Sequence, residues 1–183
     1  RYDDAINQAL ESRHAAERVG DVRFRGKGLE LEALALLFAG DYKVSESRIH
    51  EAHALLAGFE YLDVKPRLDW HQARLAVISG DLSGGEALLR RAELALLVTG
   101  DREDLWGVQI ELHRLAGTRE DSAAHFEAIR GLIDEAEKAG LLAVIFSGAV
   151  AIAEISVHRR TQELAVASLL ENTLGLAEHA GML

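Results

Sequence analysis

The dipeptide Gly-Asp recurs at regular intervals along this chain of 183 residues. It stands at positions 20–21, 40–41, 80–81 and 100–101, and Gly140 continues the series, so the spacing is 20 residues or a multiple of 20. A glycine just after a helix adopts the left-handed conformation without a Cβ clash, and a following aspartate accepts hydrogen bonds from the first N–H groups of the next helix. Each Gly-Asp therefore predicts the end of one helix and the start of another, with one helical hairpin for every 40 residues.

Residues 40 apart test this period, because they should occupy equivalent places in successive hairpins. On the second helix of each hairpin two such columns are apolar at every position: Ile49, Leu89, Ile129 and Leu169, and Leu56, Leu96, Ala136 and Leu176. A third column contains Ala52, Ala92, Leu132 and Asn172, and the first helices supply an apolar column of Ala35, Leu75, Leu115 and Ile155. The spacings of three and four residues within a helix predict one buried stripe.

The whole pattern predicts nine helices, over residues 2–19, 22–39, 43–61, 66–79, 83–99, 102–116, 121–139, 141–158 and 162–180. The composition agrees, because the chain has a single proline, only 5% aromatic residues and many residues that favour helix. Pro66 suits the first turn of a helix, and Thr118 to Asp121 resembles a capping box. We therefore predict an all-α fold of antiparallel helix hairpins.

The small and large residues after each turn resemble those of the tetratricopeptide repeat family. The similarity rests on Gly80, Gly85, Leu89 and Ala92, and on Gly40, Ser45, Ile49 and Ala52. It covers nearly the whole chain, but the period of 40 exceeds the family's usual length of about 34. It implies a right-handed superhelix, an α-solenoid, and long-period versions resemble the regulatory repeats of bacterial transcription activators of the maltose-regulator and antibiotic-regulator types. HEAT-like repeats share the period and are the structural alternative.

Two glycine-rich stretches resemble nucleotide-binding motifs. The stretch from Leu82 to Glu86, Leu-Ser-Gly-Gly-Glu, is similar to the signature of ATP-binding cassette ATPases, but the chain has no phosphate-binding loop of the form G-x-x-x-x-G-K-[S/T]. The repeat instead predicts the first turn of a helix here, with Gly85 at a position of close helix packing. Gly26-Lys27-Gly28 likewise lacks the strand and the third glycine of a dinucleotide-binding loop.

A cluster of arginines and a tryptophan is the candidate binding site. Arg67, Trp70 and Arg74 share one face of a first helix, and Arg114 lies 40 residues after Arg74. Repeat proteins bind partners on their concave surface, and guanidinium groups beside an indole suit a carboxylate or a phosphate. The alternative is a tryptophan packed between repeats, with the arginines in solvent or paired with carboxylates such as Asp69 and Glu111.

The histidines do not predict a metal site or a catalytic centre. Glu46, His50 and His53 are close enough along a helix to share a zinc ion, but they flank the buried stripe, so we expect surface histidines. We expect His71 and His113 to lie in helix packing or at the surface. No set of nucleophile, base and orienting group can be named, so we predict no enzyme, no catalytic residue, no metal and no cofactor.

Charge and composition limit the partners. A formal net charge of −10 opposes direct contact with nucleic acid. The most apolar stretch, residues 139–155, is interrupted by polar residues and is too short to cross a bilayer, and the absence of cysteine suits a cytoplasmic location. We expect the partner to be another protein or peptide carrying acidic groups.

The ends of the sequence suggest a single repeat domain, 1–183, cut from a larger protein. The first helix is interpreted as the second half of a hairpin, and Gly181 to Leu183 as the start of another helix, so we expect further repeats or domains, or self-association through the end helices. The predicted function is a non-catalytic module for protein interaction and regulation in a bacterial multidomain signalling or transcription regulator. The alternative is a domain of such a regulator that senses a small-molecule or peptide effector.

Overall fold

The computed structural model describes residues 2–119, 122–159 and 163–179, and within these ranges the chain forms nine α-helices and no strand. The all-α prediction is therefore confirmed. The helices are α1 (Tyr2–Val19), α2 (Val22–Ala39), α3 (Tyr42–Leu55), α4 (Lys65–Ile78), α5 (Leu82–Thr99), α6 (Arg102–Arg119), α7 (Ser122–Ala139), α8 (Leu142–Arg159) and α9 (Glu163–His179). Asp121 of the predicted capping box and the predicted helix start at Gly181 to Leu183 lie outside the described residues.

The predicted helix boundaries agree with the structure to within three residues, except at the end of α3. We predicted a helix to residue 61, but α3 ends at Leu55. Gly58 has a φ of 82°, a left-handed conformation that a continuing helix cannot accommodate, and residues 56–64 form turns leading to Pro66 in the first turn of α4. The prediction failed here because Gly58 is not followed by aspartate.

The Gly-Asp turns have the predicted conformation. The glycines of the series have φ values between 71° and 91°: Gly20, Gly40, Gly80, Gly100 and Gly140. The aspartates after them accept hydrogen bonds from the N–H three residues further on, at 3.0 Å for Asp21, 3.4 Å for Asp41, 2.9 Å for Asp81 and 3.3 Å for Asp101. Each turn thus satisfies carbonyl groups at the end of one helix and N–H groups at the start of the next.

The Leu-Ser-Gly-Gly stretch is the start of α5, as predicted. Asp81 caps the helix through the N–H of Gly84. A Cβ atom on Gly85 would lie 2.7 Å from Val77 Cγ2 and 3.1 Å from the carbonyl oxygen of Ala73, so this glycine allows α4 and α5 to pack closely. Gly28 plays the same part on α2, where a Cβ would lie 2.9 Å from the Cβ and 3.1 Å from the Cα of Arg13 on α1.

The chain divides into two compact units, Arg1–Gly100 and Asp101–Leu183, which we call unit one and unit two. The core of unit one contains Leu29, Ala33, Ile49, Ala52, Leu56, Val64 and Leu68. The core of unit two is centred on α6, α7 and α8 and contains Ile110, Phe126, Ile129, Ile133, Ile152 and Ile155 among others. Most residues of the apolar columns are buried as predicted, but Leu75, Leu132 and Leu169 are only partly buried. Leu176 is 45% exposed on α9, which packs mainly against α8.

Two ion pairs join residues one period apart. Arg23 Nη2 lies 2.8 Å from Asp63 Oδ2, and Arg114 Nη1 lies 3.0 Å from Glu154 Oε2. Both pairs connect residues separated by 40 positions, the second pair between α6 and α8. The period of the buried columns therefore also places polar side chains in contact. In the part of the chain that the structure describes, no helix is long and apolar enough to cross a membrane.

Candidate functional site

The predicted site residues lie on two helices. Arg67, Trp70 and Arg74 are half-buried on α4 in unit one, and Arg114 is half-buried on α6 in unit two. The structure brings two of them into direct contact, because the guanidinium carbon of Arg74 lies 4.4 Å from the centre of the Trp70 ring. Arg67 lies about one turn before Trp70 on the same helix.

Arg74 also approaches an aromatic pair from other helices. Its guanidinium carbon lies 5.9 Å from the centre of the Phe38 ring on α2, and Phe38 stacks on Tyr2 of α1 with ring centres 6.5 Å apart and planes at 14°. A guanidinium over an aromatic face gains about 0.5–1 kcal/mol at an exposed site. We call Tyr2, Phe38, Trp70 and Arg74 the aromatic–cationic patch.

The indole of Trp70 also lies beside the ring of His71. Its ring lies 6.2 Å from the ring of His71, with planes at 25°, and its Nε1 is buried with no hydrogen-bond acceptor. The half-buried tryptophan therefore provides the aromatic surface on which Arg74 lies. Contacts on Trp70 and Phe38 hold the plane of the guanidinium, which reduces the conformational entropy lost when that group binds a ligand.

An apolar cavity adjoins the patch between α1 and α2. Its volume is about 370 Å³, and its walls include Ala5, Leu31, Leu34, Tyr2 and Phe38. Phe38 is 54% exposed, and Tyr2 and Leu31 are also exposed. Sites for small ligands usually have volumes of about 300–1,000 Å³, so this cavity could hold a large side chain or a small ligand. Phe38 and Tyr2 belong to both the cavity and the patch.

Buried polar contacts fix α2 behind this surface. His71 Nε2 on α4 lies 2.7 Å from Glu30 Oε1 on α2, and both side chains are buried. Glu32 accepts a hydrogen bond of 2.6 Å from Arg48 Nε on α3 and lies 3.2 Å from Arg13 Nη1 on α1. Loss of one member of a buried pair leaves a polar group without its partner, so these contacts fix the relative positions of the helices that form the patch.

Arg114 lies in a different environment, between two carboxylates. Its Nε donates to Glu111 at 2.8 Å and its Nη1 donates to Glu154 at 3.0 Å. Burial acts to lower the pKa of Arg114, but the two carboxylates outweigh it and raise this pKa above its usual value. The pair with Glu111 is the one that the alternative interpretation named, whereas Asp69 is paired with Arg91, whose Nε lies 2.7 Å from Asp69 Oδ2.

The histidines occupy several environments. His50 is exposed, and His53 is partly exposed, with its Nε2 3.5 Å from Asp69 Oδ1. Burial lowers the pKa of His53. His71 is a packing residue, and His113 on α6 contacts His125 on α7. Among the described residues, no group of three or more His, Cys, Asp or Glu side chains could hold a metal ion.

Sequence reasoning did not find Tyr2, Phe38 or His125. Trp70 and Arg74 were recognisable because they lie one turn apart on a single helix. The exposure of Phe38 could have been predicted, because this residue falls outside the buried stripe of α2. Its contact with Arg74 depends on how α2 and α4 pack.

Comparisons with known proteins bear on the fold alone. No protein-family model matches the chain, and no curated protein matches it. Among solved structures, the chain is similar to the crystal structure of BtubC (BKLC) from P. vanneervenii, with a TM-score of 0.55 and 16% sequence identity. The match covers 99% of this chain and 85% of that one. This similarity supports the all-α helical repeat fold.

Proposed function

We propose that this chain is a non-catalytic helical-repeat module that binds a segment of another protein at the aromatic–cationic patch and the adjoining cavity. One observation carries the proposal: the guanidinium of Arg74 is held between Phe38 and Trp70 beside an apolar cavity of about 370 Å³ with an exposed rim. The expected ligand segment has an apolar side chain next to a carboxylate.

Each part of the surface suits one part of such a segment. The cavity can bury an aliphatic or aromatic side chain, which contributes about 1.5–3 kcal/mol. A guanidinium carries five N–H donors and binds a carboxylate through two parallel hydrogen bonds. Arginine and large aromatic residues also dominate the binding energy of many protein interfaces. These properties favour a protein partner with an acidic group at this site, whereas the net charge of −10 opposes contact with nucleic acid.

The resemblance to long-period tetratricopeptide repeats supports a wider role. Such repeats in bacterial activators serve as regulatory modules, so we propose that this chain is part of a multidomain signalling or transcription regulator. The absence of cysteine from the sequence supports the cytoplasm as its compartment.

A peptide-binding experiment tests the proposal. The chain would be screened against a random peptide library, and the selected peptides measured by fluorescence polarisation. We expect the selected peptides to share an apolar residue beside Asp or Glu, and to bind at least about tenfold more weakly when that acid is changed to its amide. Arg74→Gln and Phe38→Ala should weaken binding to a similar degree.

Two variants serve as matched controls. Phe24 lies on the same helix as Phe38 and is 55% exposed, so Phe24→Ala removes an equally exposed ring outside the patch. Arg90→Gln removes an exposed arginine of α5. Both controls should bind like the original chain. Equal loss in Phe24→Ala and Phe38→Ala, or selected peptides without acidic residues, would contradict the proposed site.

The cavity volume favours a second candidate, a small-molecule effector. A ligand that binds the folded chain alone raises its melting temperature. In a thermal-shift screen of sugars, nucleotides and carboxylic acids, an effector bound in the cavity should raise the melting temperature of Arg74→Gln as well as that of the original chain. It should have no effect on Ala5→Leu, because the larger side chain at this exposed position of the cavity wall reduces its volume. A ligand that shifts Ala5→Leu equally would not be in the cavity.

A further inference from the structure

Two histidine side chains from different helices meet in unit two. His113 on α6 and His125 on α7 are half-buried, and their Nδ1 atoms lie 3.1 Å apart. The ring centres are 5.4 Å apart and the planes are tilted by 47°. In the absence of a metal, one neutral ring can donate its Nδ1–H to the other.

The same distance suits two ligands of one metal ion. Imidazole nitrogen binds zinc at about 2.0–2.1 Å, so two nitrogens on one ion lie about 2.9 Å apart for an angle near 90° and about 3.4 Å apart for a tetrahedral angle. The observed separation of 3.1 Å falls between these values. The separation of the two nitrogens is therefore compatible with chelation of one ion.

The packing of α6 and α7 brings His125 to this position. Gly117 lies one turn after His113 on α6, so the two residues share a face of the helix. A Cβ atom on Gly117 would lie 3.3 Å from His125 Cβ and 2.8 Å from Ile155 Cδ1. The missing side chain at Gly117 thus leaves space for His125 beside His113.

We propose that His113 and His125 bind one divalent transition-metal ion of the zinc, copper and nickel group through their Nδ1 atoms, with water at the remaining positions. Imidazole is a preferred ligand of these ions, whereas magnesium and calcium prefer oxygen ligands. Because the ion links α6 to α7 in the folded chain alone, it stabilises the fold in proportion to its concentration relative to its dissociation constant.

Metal titration of the complete, tag-free chain tests this site. Zinc chloride would be followed by calorimetry and cobalt chloride by its visible absorption bands, with magnesium chloride as the ion that should not bind. We expect one equivalent of zinc or cobalt per chain and a rise in melting temperature. His113→Asn and His125→Asn should each raise the apparent dissociation constant at least about tenfold, because a chelate becomes a single-ligand site.

Control variants separate this pair from other histidines. His50→Asn removes one of two histidines that lie three residues apart on α3, His50 and His53. His158→Asn removes an exposed histidine of α8. Both should bind metal like the original chain. Helical circular dichroism and the melting temperature without metal establish that each variant is folded.

A second measurement uses the unmodified chain and does not depend on the variants. Diethyl pyrocarbonate modifies accessible imidazoles, and mass spectrometry locates the modified residues. Zinc should protect His113 and His125 and leave His50 and His158 reactive. The absence of a saturable zinc equivalent, unchanged affinity in both His113→Asn and His125→Asn, or equal reactivity of His113 and His125 with and without zinc would each overturn the proposal.

Discussion

At the scale of single residues, glycines decide how closely the helices approach. Gly28, Gly85 and Gly117 each lie where a Cβ atom would come within 3 Å of a neighbouring helix or of its side chains. Glycine in a helix interior costs about 0.5–1 kcal/mol relative to alanine, so these positions lose helix stability in exchange for closer packing. Gly131 on α7 differs, because a Cβ there would meet no atom within 4 Å.

This contrast predicts opposite effects for one substitution. Gly28→Ala should lower the free energy of unfolding by about 1–3 kcal/mol, because the new methyl group meets the backbone of α1 at Arg13. Gly131→Ala should raise it by about 0.5–1 kcal/mol, because the helix gains stability and nothing is displaced. Urea denaturation of the two variants measures both changes. A stabilising Gly28→Ala would show that α1 moves away at little cost.

Asp63 predicts a dependence of stability on pH. Partial burial acts to raise the pKa of Asp63, but hydrogen bonds and charges from Arg23 and Lys27 outweigh it and lower this pKa to about 2. An unfolded aspartate has a pKa near 4, so the ion pairs stabilise the fold fully above about pH 4 and progressively less as the pH falls towards 2.

Because the Asp63 carboxylate is about one third exposed, Asp63→Asn should lower the free energy of unfolding at pH 7 by about 1 kcal/mol or less. The difference from the original chain should shrink between about pH 4 and pH 2. Denaturation curves at a series of pH values give this difference, with Asp134→Asn, at an exposed position of α7, as the control. A difference that stays constant down to pH 2 would show that the ion pairs do not cause it.

How much of the site the sequence predicts depends on which helices its residues occupy. The contact of Trp70 with Arg74 follows from their spacing on α4. Tyr2 and Phe38 reach the same patch from α1 and α2, and His125 reaches His113 from the next helix. Helical periodicity places residues on faces of one helix, whereas contacts between helices depend on packing angles that single glycines help to set.

At the scale of the helices, the Gly-Asp turns and the buried apolar stripes account for most of the fold. The Gly-Asp turns and the apolar columns predict where the helices begin and end, because both are local chemistry repeated at a constant spacing. Prediction failed at α3, where Gly58 ends the helical region without an aspartate after it. It also failed at Leu176, which is exposed. Periodicity shows which residues share a face of a helix, but it does not show whether another helix covers that face.

Two leucines on α5 test the stripe. Leu89 is 2% exposed and Leu94 is 67% exposed. Leu89→Ala should lower the free energy of unfolding by about 2–5 kcal/mol, because it removes buried methyl groups and leaves a cavity. Leu94→Ala should change it by no more than about 0.5 kcal/mol. Thermal and chemical denaturation measure both, and equal effects would mean that α5 presents a different face to α4.

At the scale of the whole molecule, each unit has its own core. The buried cluster around Ile49 and Leu56 lies within unit one, and the cluster around Ile129 and Ile152 lies within unit two. The contact of His71 with Glu30 and that of Arg48 with Glu32 are also internal to unit one. Repeat proteins gain stability mainly from neighbouring elements, so a unit with a complete core can fold without the rest.

We therefore expect residues 1–100 to fold when expressed alone. The fragment should show helical circular dichroism and a cooperative thermal transition, since it keeps the core and the polar contacts of unit one. Ile49→Ala in the fragment should lower its stability by about 2–5 kcal/mol, which would show that the native core has formed. A fragment without a cooperative transition would mean that unit one depends on the remainder of the chain.

The turns built from Gly-Asp have an evolutionary consequence. The glycine and aspartate residues of these turns belong neither to the patch nor to the cavity wall, so mutations at Phe38 or Arg74 leave these signals intact. Descendants of such a chain can acquire new binding preferences while inheriting the same architecture. Tandem duplication of one 40-residue segment can likewise enlarge the protein, since the copy carries its own start and stop signals.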